Sequence, residues 1–226
     1  MPFRGKIPEP TVRRLSLYLR ELQMREEGDQ STISSKQLGQ ALGFTDSQVR
    51  KDLAVFGQFG QPGVGYRTDE LIERLRSILG KDRTWNACVV GAGNIGRALM
   101  PYGRFRREGF DIVAIFDHDP AVVGTTVGDH KVRPLQELRP LVRERGIRIG
   151  IIAVPGEAAQ ATADRLIQAG VIGILNFAPR RLEIPQTQVR GAERLSVVNV
   201  DFTVALEQLA FQISFGLKGA YDDPCR

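Results

Sequence analysis

Residues 88–96 read Cys-Val-Val-Gly-Ala-Gly-Asn-Ile-Gly, an apolar run that leads directly into the pattern G-x-G-x-x-G. In this pattern Gly91 permits a tight turn, Gly93 lets the backbone approach a pyrophosphate, and Gly96 lets the next helix pack close to the sheet. Amides at the start of that helix, aided by the helix dipole, point at the phosphates. The segment is therefore predicted to bind a dinucleotide through Gly91, Ala92, Gly93, Asn94, Ile95 and Gly96. The alternative is a turn that needs glycines only for its conformation.

An acidic residue stands where the adenosine ribose would lie. The strand predicted over 111–116 ends in Asp117, about 20 residues after Gly96. A carboxylate at this place accepts a hydrogen bond from the ribose 2′-hydroxyl and repels a 2′-phosphate, which favours NAD(H) over NADP(H). His118 follows directly, and we count it with the predicted cofactor contacts.

Apolar runs alternate with helical stretches throughout the second half of the chain. Strands are predicted at 87–90, 111–116, near 124–128, and at 148–153, 172–176 and 196–199, with helices at 94–107, 134–145 and 156–169. This alternation predicts an α/β fold with a Rossmann-like doubly wound parallel sheet. Ligands of such sheets bind beyond the carboxyl ends of the strands. The residues there, predicted to contact the cofactor, are Val154, Pro155, Asn176, Phe177 and Ala178.

The residues that enzyme chemistry would need are sparse. His118 and His130 are the only histidines, and no Ser-His-Asp, Cys-His or metal-ligand pattern is present. Tyr102 and Asp201 could move protons, but a dehydrogenase of this size would also need a substrate domain. The sequence therefore predicts a protein without catalytic residues or a metal site. An oxidoreductase that uses the same fold is the rival hypothesis.

The first half of the chain has the pattern of a helix-turn-helix. Thr11 begins a helix with an apolar face, and the capping-box pair Ser34 and Gln37 begins a short helix that ends at Gly43. A second capping-box pattern, Thr45 and Gln48, begins a third helix that is predicted to reach Phe56. Two short helices joined by a tight glycine turn are typical of this motif.

The third helix has an apolar side and a side suited to DNA. Val49, Leu53 and Phe56 share one face, whereas small and polar residues lie opposite with two adjacent cations. A major-groove reader needs room to approach and donors for guanine edges or phosphates. The predicted DNA contacts of this helix are Ser47, Gln48, Arg50 and Lys51. The alternative is an ordinary amphipathic helix with a solvated polar face.

A glycine-rich segment over 57–67 follows the third helix and contains a Gln-Pro-Gly turn. It is predicted to form a small hairpin whose tip enters a minor groove beside Arg67. A helix-turn-helix followed by a hairpin is the order of a winged-helix domain. The predicted DNA contacts of the wing are Gly63, Val64, Tyr66 and Arg67. Thr68 then begins a fourth helix, which Gly80 ends.

Composition sets broader limits on the class of protein. The net charge of +5 would suit a polyanionic partner, although the excess is divided almost evenly between residues 1–80 and 81–226. The two cysteines, Cys88 and Cys225, are too few for a disulfide framework or a zinc site. We find neither a signal-peptide core nor a long uncharged apolar stretch, so we expect a soluble cytoplasmic protein that binds no membrane. Residues 81–85 are predicted to link a domain over 1–80 to one over 81–200.

The segment 201–226 contains a helix, predicted over 201–217, that is apolar nearly all round. Such a helix must be buried on more than one side. We expect its own sheet to cover one face and a second subunit to cover the other. The alternative is a helix wedged inside its own monomer. A twofold dimer would match a palindromic operator.

These features together resemble the family of redox-sensing transcriptional repressors called Rex. The resemblance runs from about residue 8 to 217. It is carried by Gln48-Val-Arg-Lys-Asp-Leu53 with Phe56-Gly57, by Gly63-Val-Gly-Tyr66, by the glycine motif, by Asn176-Phe-Ala-Pro179 and by Asn199-Val-Asp-Phe202. It implies a homodimer that represses respiratory and fermentative genes on double-stranded operator DNA while NADH is scarce, and that leaves the DNA when NADH binds.

The resemblance also implies roles for particular residues. The C-terminal helix would be swapped between subunits, so that Phe202 lies near the partner's nicotinamide, and Arg20, Tyr102 and Asp201 would form a polar network of the DNA-competent state. NADH and NAD⁺ differ only at the nicotinamide, so a switch must act at that ring. A module for another nucleotide, such as coenzyme A, is a second rival. Asp117 argues against it because a carboxylate suits a free ribose diol.

Overall fold

The computed structural model describes residues 7–26, 31–57, 60, 64–184, 189–190 and 193–221. The chain divides into two units, Met1–Arg83 and Thr84–Arg226. Their boundary falls inside the segment 81–85 that the sequence predicts as a linker. The separate C-terminal segment from residue 201 stays a prediction.

The first unit is built on helix α1 (Glu9–Glu26), which begins two residues before the predicted start at Thr11. Its apolar residues at helical spacing are at most 1 % exposed and form the core with residues of the later helices. These α1 residues are Leu15, Tyr18, Leu19 and Leu22. Periodicity was a sufficient guide here because one face of a helix must be buried.

The helix-turn-helix consists of α2 (Ser35–Leu42) and α3 (Asp46–Ala54). The capping box of Ser34 and Gln37 is present, and Gly43 ends α2 at a φ of 73°, as the sequence predicts. The second capping box is only half formed: the Thr45 side chain accepts from the Gln48 N–H. Helix α3 ends at Ala54, so the prediction that it reaches Phe56 was wrong by two residues.

A pair of two-residue strands closes the first unit. Strand β1 (Thr32–Ile33), which the sequence did not predict, pairs antiparallel with β2 (Tyr66–Arg67). The predicted hairpin over 57–67 falls partly on residues 58, 59 and 61–63, which lie outside the described residues. Helix α4 (Thr68–Ile78) follows and buries Leu71, Ile72 and Leu75. Helix-turn-helix and following strand stand in the order of a winged-helix domain, as predicted.

The second unit contains a seven-stranded sheet in the order β11-β8-β7-β3-β4-β6-β5. All neighbouring strands are parallel except β5 and β6 at one edge. Its strands are β3 (Trp85–Val90), β4 (Phe110–Asp117), β5 (Thr126–Val127), β6 (His130–Pro134), β7 (Ile149–Ile152), β8 (Gly173–Asn176) and β11 (Ser196–Asn199). The short strands β9 (Val189–Arg190) and β10 (Glu193–Arg194) pair separately.

Helices cover both faces of this sheet. They are α5 (Asn94–Leu99), α6 (Arg104–Arg107), α7 (Leu138–Glu144) and α8 (Gly156–Ala169). One core cluster includes Leu141 of α7 and Leu166 of α8, and Leu99 and Phe105 pack against another on the opposite face. Cys88 is fully buried in the first cluster, and burial raises the pKa of its thiol to about 12. The Rossmann-like prediction is confirmed.

Two predicted helices of the second unit differ in detail. The helix predicted over 94–107 is interrupted between α5 and α6, where Pro101 cannot donate a backbone hydrogen bond. The helix predicted from 134 begins later: residues 130–134 form β6, and a 3₁₀ turn over Leu135–Glu137 precedes α7. Pattern alone did not separate a short edge strand from the start of the helix.

The last helix is α9 (Phe202–Tyr221), and its side chains over 202–215 are not buried against the sheet. Every residue from 201 to 215 is exposed, and its large apolar side chains over 202–215 are between 47 % and 65 % exposed. The expectation that the sheet covers one face was therefore wrong, as was the alternative of a helix wedged inside the monomer. We find no helix among the described residues that is both long and apolar enough to span a membrane.

Candidate functional sites

The glycine motif forms a tight loop between β3 and α5. Gly91 has a φ of 104°, a backbone conformation that residues with a side chain rarely adopt. A Cβ there would also collide with the carbonyl oxygen of Ala153. A Cβ on Gly96 would collide with the carbonyl oxygen of Gly91. A Cβ on Gly93 would meet nothing within 4 Å. The first and third glycines thus serve close packing, and the exposed Gly93, Asn94 and Ile95 leave room for a phosphate.

Asp117, at the end of β4, holds this loop in place. It is 8 % exposed, and its Oδ2 accepts from the Ala92 N–H at 2.7 Å. Its Oδ1 accepts from the backbone N–H groups of His118 at 2.7 Å and Asp119 at 2.9 Å. A carboxylate has about four lone-pair sites, so Oδ2 keeps room for a ribose hydroxyl.

The same contacts set the charge of Asp117. Burial raises the pKa of this carboxyl, but the three backbone N–H donors outweigh burial, and the pKa lies below its ordinary value. The carboxylate is therefore ionised at neutral pH. His118 places Nδ1 3.2 Å from Asp117 Oδ1 with its side chain 78 % exposed. His118 thus lies beside Asp117 on the surface, and its contact with the cofactor stays a prediction.

Arg97 of α5 also holds the loop, and sequence reasoning did not predict this contact. Its Nε donates to the carbonyl oxygen of Ala92 at 2.7 Å. The peptide groups of Ala92 are thus held from one side by Asp117 and from the other by Arg97. The only signal in the sequence was a cation one residue after the third glycine, which spacing alone does not distinguish from a solvated surface arginine.

Asn176, at the end of β8, is fully buried, with an exposed fraction of 0 %. Its Nδ2 donates to the Arg180 carbonyl oxygen at 2.8 Å and to Asn199 Oδ1 at 2.9 Å. Its Oδ1 accepts from the Ala178 N–H at 3.0 Å. The amide is thus directed at the protein, and its predicted cofactor contact is not supported by its orientation. Val154 and Pro155 lie between β7 and α8. Val154 is half-buried, and Pro155 is exposed.

Two aromatic residues meet beside the turn over 176–180 at the end of β8. The ring centroids of Phe177 and Phe202 lie 6.1 Å apart, and Phe202 is 60 % exposed. Asp201 caps α9, because its Oδ1 accepts from the backbone N–H groups of Thr203 at 2.9 Å and Val204 at 3.3 Å. Tyr102 is half-exposed and packs edge-on against Phe105. The network of Arg20, Tyr102 and Asp201 stays a prediction.

The polar face of α3 has the exposure that a DNA contact needs. Ser47, Arg50 and Lys51 are exposed. The Arg50 guanidinium donates to Asp46 Oδ2 at 2.8 Å and to Ser35 Oγ at 3.1 Å, so α2 and α3 orient it together. Gln48 is different, since its amide donates to the buried Asp52 at 2.9 Å and does not point outward.

Residues of the predicted wing are divided between surface and core. Val64 is 61 % exposed. Arg67 is also exposed and pairs with Asp69 Oδ2 at 2.7 Å. Tyr66 is 9 % exposed and packs in the core of the first unit, so its ring does not face outward. Gly63 lies outside the described residues.

Asp52 is the centre of a buried polar network that sequence reasoning missed. It is 2 % exposed and accepts from Arg14 Nε at 2.6 Å, from Arg14 Nη2 at 2.7 Å and from the Tyr18 hydroxyl at 2.8 Å. Burial raises its pKa, but these donors outweigh burial and the pKa is lowered. Burial and the Asp52 contact raise the pKa of Tyr18 above its usual value. The network joins α3 to α1.

Part of each unit matches a known family model. Residues 6–54 match the family model described as "Putative DNA-binding protein N-terminus", and residues 82–180 match "CoA binding domain". A redox-sensing transcriptional repressor Rex of Carboxydothermus hydrogenoformans is 48 % identical over 92 % of this chain and 97 % of its own. The chain belongs to the Rex family. The Rex of Syntrophobacter fumaroxidans is 43 % identical over 94 % of this chain and 98 % of its own.

Solved structures of the family have the same fold. A Rex-family repressor named RSP, solved "in complex with beta-NAD+ and operator DNA", is 34 % identical and superimposes with a TM-score of 0.85 over 98 % of this chain and all of its own. The structure of RSP "in complex with beta-NADH" is 33 % identical with a TM-score of 0.83 over 96 % of this chain and 99 % of its own. These matches extend over both units of the Rex fold.

Proposed function

We propose that this chain is a homodimeric, NADH-responsive transcriptional repressor that acts in the cytoplasm. It binds a palindromic operator while NADH is scarce and is released when NADH binds, which regulates respiratory and fermentative genes. One observation carries the proposal: a dinucleotide loop with a buried ribose acid and a helix-turn-helix with an exposed cationic face occur in one chain. The regulator is not an enzyme, in agreement with the names of its relatives.

The cofactor is NADH or NAD⁺ and neither NADPH nor coenzyme A. Asp117 is an ionised, nearly buried carboxylate with room at Oδ2 for a ribose hydroxyl. A phosphate on the ribose would bring a second negative charge to a site with little solvent to screen it. NADPH carries a 2′-phosphate on this ribose and coenzyme A a 3′-phosphate. The contacts are the glycine loop, Asp117, His118, Val154, Pro155, Phe177, Ala178 and Phe202, with Asn176 acting through its turn.

The DNA contacts come from α3 and the wing. Arg50 is held by Asp46 and Ser35, so its guanidinium is oriented before DNA arrives. Lys51 and Ser47 lie on the same exposed face, and Val64 and Arg67 are exposed residues of the proposed wing. Gly63 is added to these contacts from the sequence alone. Gln48 and Tyr66 support DNA binding indirectly. Gln48 holds Asp52, and Tyr66 packs in the core.

The homodimer forms through α9. A stretch of large apolar side chains that are 47–65 % exposed along one helix is a surface that a partner must cover. A second copy supplies that cover if the helix is exchanged between subunits, and the arrangement gives the twofold symmetry that a palindrome requires. Exchange also brings Phe202 to the partner's nicotinamide, where an apolar ring favours neutral NADH over charged NAD⁺. Arg20, Tyr102 and Asp201 stabilise the DNA-bound form.

A mobility-shift titration tests the proposal. The full-length protein is incubated with palindromic promoter fragments, and NADH, NAD⁺, NADPH and coenzyme A are added in turn. Release by NADH at concentrations well below those of the other three supports the proposal. Release by coenzyme A alone would instead support the binding module that the family model's description names. If the protein shifted no palindromic fragment, its proposed function as a repressor would be rejected.

A further inference from the structure

Asn176 and Asn199 connect the ends of two neighbouring parallel strands, β8 and β11. The two residues stand opposite each other in the strand register, and Asn176 Nδ2 donates to Asn199 Oδ1 at 2.9 Å. The next backbone group continues the connection, because the Val200 N–H donates to the Asn176 carbonyl oxygen at 2.8 Å. These hydrogen bonds fix the point at which the chain leaves the sheet.

The buried amide of Asn176 has a second task on the same side chain. It also donates to the carbonyl oxygen of Arg180 at 2.8 Å and accepts from the Ala178 N–H at 3.0 Å. A buried amide needs a partner for each polar atom, and losing one costs free energy. The turn over 176–180 and the end of β11 are therefore held by one side chain and are expected to move together.

The residues that follow each asparagine extend this connection to the cofactor side. Phe177 follows Asn176, Phe202 lies three residues after Asn199, and their ring centroids are 6.1 Å apart. Between them, Asp201 caps the first turn of α9 through two backbone N–H groups. The chain thus passes from the amide bridge to the helix cap and the aromatic pair within four residues.

Helix α9 depends on this junction for its direction. Every residue from 201 to 215 is exposed, so that part of the helix is not buried against its own unit. The junction of Asn199, Val200, Asp201 and Phe202 is bound to the sheet, to the helix and to Phe177 at once. Because Phe202 is the first residue of α9, a shift of Phe177 and its turn reaches the start of the helix through this segment.

We infer that the Asn176–Asn199 hydrogen bond transmits cofactor occupancy at the aromatic pair to the direction of α9, which makes Asn199 a positioning residue for the NADH response. The inference rests on the proposed function. A ligand shifts an equilibrium only through contacts that differ between its two states. With the bond present, the pair and the helix start move as one body. Without it, Phe202 adjusts to the ring locally, and NADH and operator bind with little effect on each other.

The test measures coupling separately from binding. Asn199→Leu and Asn199→Ala remove the acceptor, whereas Asn199→Asp keeps an oxygen facing Asn176 Nδ2. Asn199 is exposed, so a carboxylate is tolerated there. Val198→Thr is the matched control, because adjacent side chains of a strand point to opposite faces. For each full-length variant, NADH affinity is measured by calorimetry, and affinity for a palindromic duplex bound by the wild type is measured with and without saturating NADH.

Coupling is the ratio of the two duplex affinities, and couplings of about 5- to 150-fold are usual for allosteric proteins. Asn199→Leu and Asn199→Ala should lower it at least about fivefold, while NADH affinity without DNA and duplex affinity without NADH each stay within about threefold. Asn199→Asp and Val198→Thr should stay within about twofold of the wild type. A role in packing alone would lower the duplex affinities with and without NADH to the same degree and leave their ratio unchanged.

Three results would overturn the inference. They are wild-type coupling in both acceptor-free variants, loss of coupling in Asn199→Asp to the same degree, and unfolding or monomer formation of Asn199→Ala by thermal melting and light scattering. The last result would assign the bond to stability. A wild-type protein that binds no palindrome, or that NADH does not release, rejects the proposed function itself and is seen before any variant is made.

Discussion

The backbone N–H of Ala92 donates to Asp117 Oδ2 at 2.7 Å, which joins the glycine loop to the end of the neighbouring strand. Strands β3 and β4 are parallel and adjacent, so their carboxyl ends meet where the loop begins. One carboxylate therefore shapes the loop and, in our proposal, also binds the ribose. The sequence predicted the second task only, because spacing along the chain says nothing about hydrogen bonds across the sheet.

Replacing Asp117 by alanine should weaken NADH binding. The ribose hydroxyl loses an anionic acceptor, and a hydrogen bond to a charged group contributes about 1.5–3 kcal/mol. The Ala92 N–H also loses its partner, so the loop becomes less ordered. Discrimination against NADPH should decrease because the repulsion of the 2′-phosphate is gone. Calorimetry with both cofactors measures this, with Asp119→Ala as the neighbouring control. Equal NADH affinity in wild type and Asp117→Ala would show that the ribose lies elsewhere.

Asp52→Ala should destabilise the first unit strongly. Its side chain is 3 % exposed and Arg14 is left without its carboxylate. Removing one partner of a buried ion pair costs about 3–5 kcal/mol. The Arg14 side chain is 21 % exposed, so its remaining charge is partly solvated and the loss should lie near the lower end of that range. Urea unfolding followed by circular dichroism gives the free energy. The control is Asp46→Ala, which removes an exposed ion pair of the same helix and should have a far smaller effect. Similar losses in both variants would contradict the buried role of Asp52.

The contribution of Asp52 should also depend on pH. The pKa of Asp52 in the folded protein is lower than the ordinary value of an aspartate, about 3.9. A lowered pKa means that the ionised form stabilises the fold. The stabilisation is fully present above about pH 5 and is lost as the pH falls through the folded pKa. The difference in unfolding free energy between wild type and Asp52→Asn should therefore shrink between about pH 5 and pH 2. A difference that stays constant over this range would assign the effect to packing.

Local signals were sufficient to predict most of the architecture. The capping pair Ser34 and Gln37, the stop at Gly43 and the apolar spacing of α1 each depend on neighbours within a few residues. Gly91 likewise needs its positive φ for reasons visible in the motif. Asp52 could not be found in this way. Its partners on α1 lie more than thirty residues away, and an aspartate beside Leu53 looks like a surface residue until α1 is packed on α3.

The cofactor site shows the same limit. Asn176 stands at a strand end, where ligands bind, yet its amide is saturated by Ala178, Arg180 and Asn199. Position along the chain predicts a region for the cofactor site, and only the fold shows which way the Asn176 side chain points. The apolar pattern of α9 predicted burial, but a single chain does not bury it. Hydrophobicity indicates that a surface must be covered and does not say by which molecule.

Arg50→Ala and Lys51→Ala should each weaken operator binding and leave NADH affinity unchanged. If Arg50 reads a guanine, its loss costs about 1–3 kcal/mol and relaxes specificity at one base pair. A phosphate contact at Lys51 would weaken all sequences alike and reduce the salt slope by about one. Fluorescence anisotropy over a salt series separates these cases, with the exposed Arg139→Ala of α7 as control. Unchanged operator affinity in both variants would reject α3 as the recognition helix.

Truncation after Val200 should abolish the dimer. It removes the apolar surface that, in our proposal, the second copy covers, and it exposes the site that the partner's helix fills. One half-site cannot replace two, so tight binding to a full palindrome should be lost as well. Leu209→Glu, which places a charge on the 51 % exposed Leu209, is a milder variant and should weaken the dimer without removing the helix. A folded, monodisperse monomer that still binds the palindrome tightly would refute the role of α9.

Phe202→Ala should separate sensing from binding. Adenosine and the phosphates are the same in NADH and NAD⁺, so the glycine loop and Asp117 set total affinity but not redox preference. That preference needs a group that touches the nicotinamide, and DNA and NADH oppose each other only as far as NADH favours the DNA-incompetent state. The variant should narrow the NADH/NAD⁺ affinity ratio and give a repressor that binds operator but responds poorly to NADH.

Variants of the proposed polar network provide the contrast. If Arg20 and Tyr102 stabilise the DNA-bound form, Arg20→Ala and Tyr102→Phe should weaken operator binding while the NADH/NAD⁺ ratio is kept. Each variant is therefore measured for both cofactors by calorimetry and for the operator by anisotropy. Phe177→Ala removes the ring that lies 6.1 Å from Phe202 and should change the ratio in the same direction as Phe202→Ala, but less. A wild-type ratio in Phe202→Ala would mean that another residue contacts the nicotinamide, because no group remote from that ring can distinguish the two cofactors.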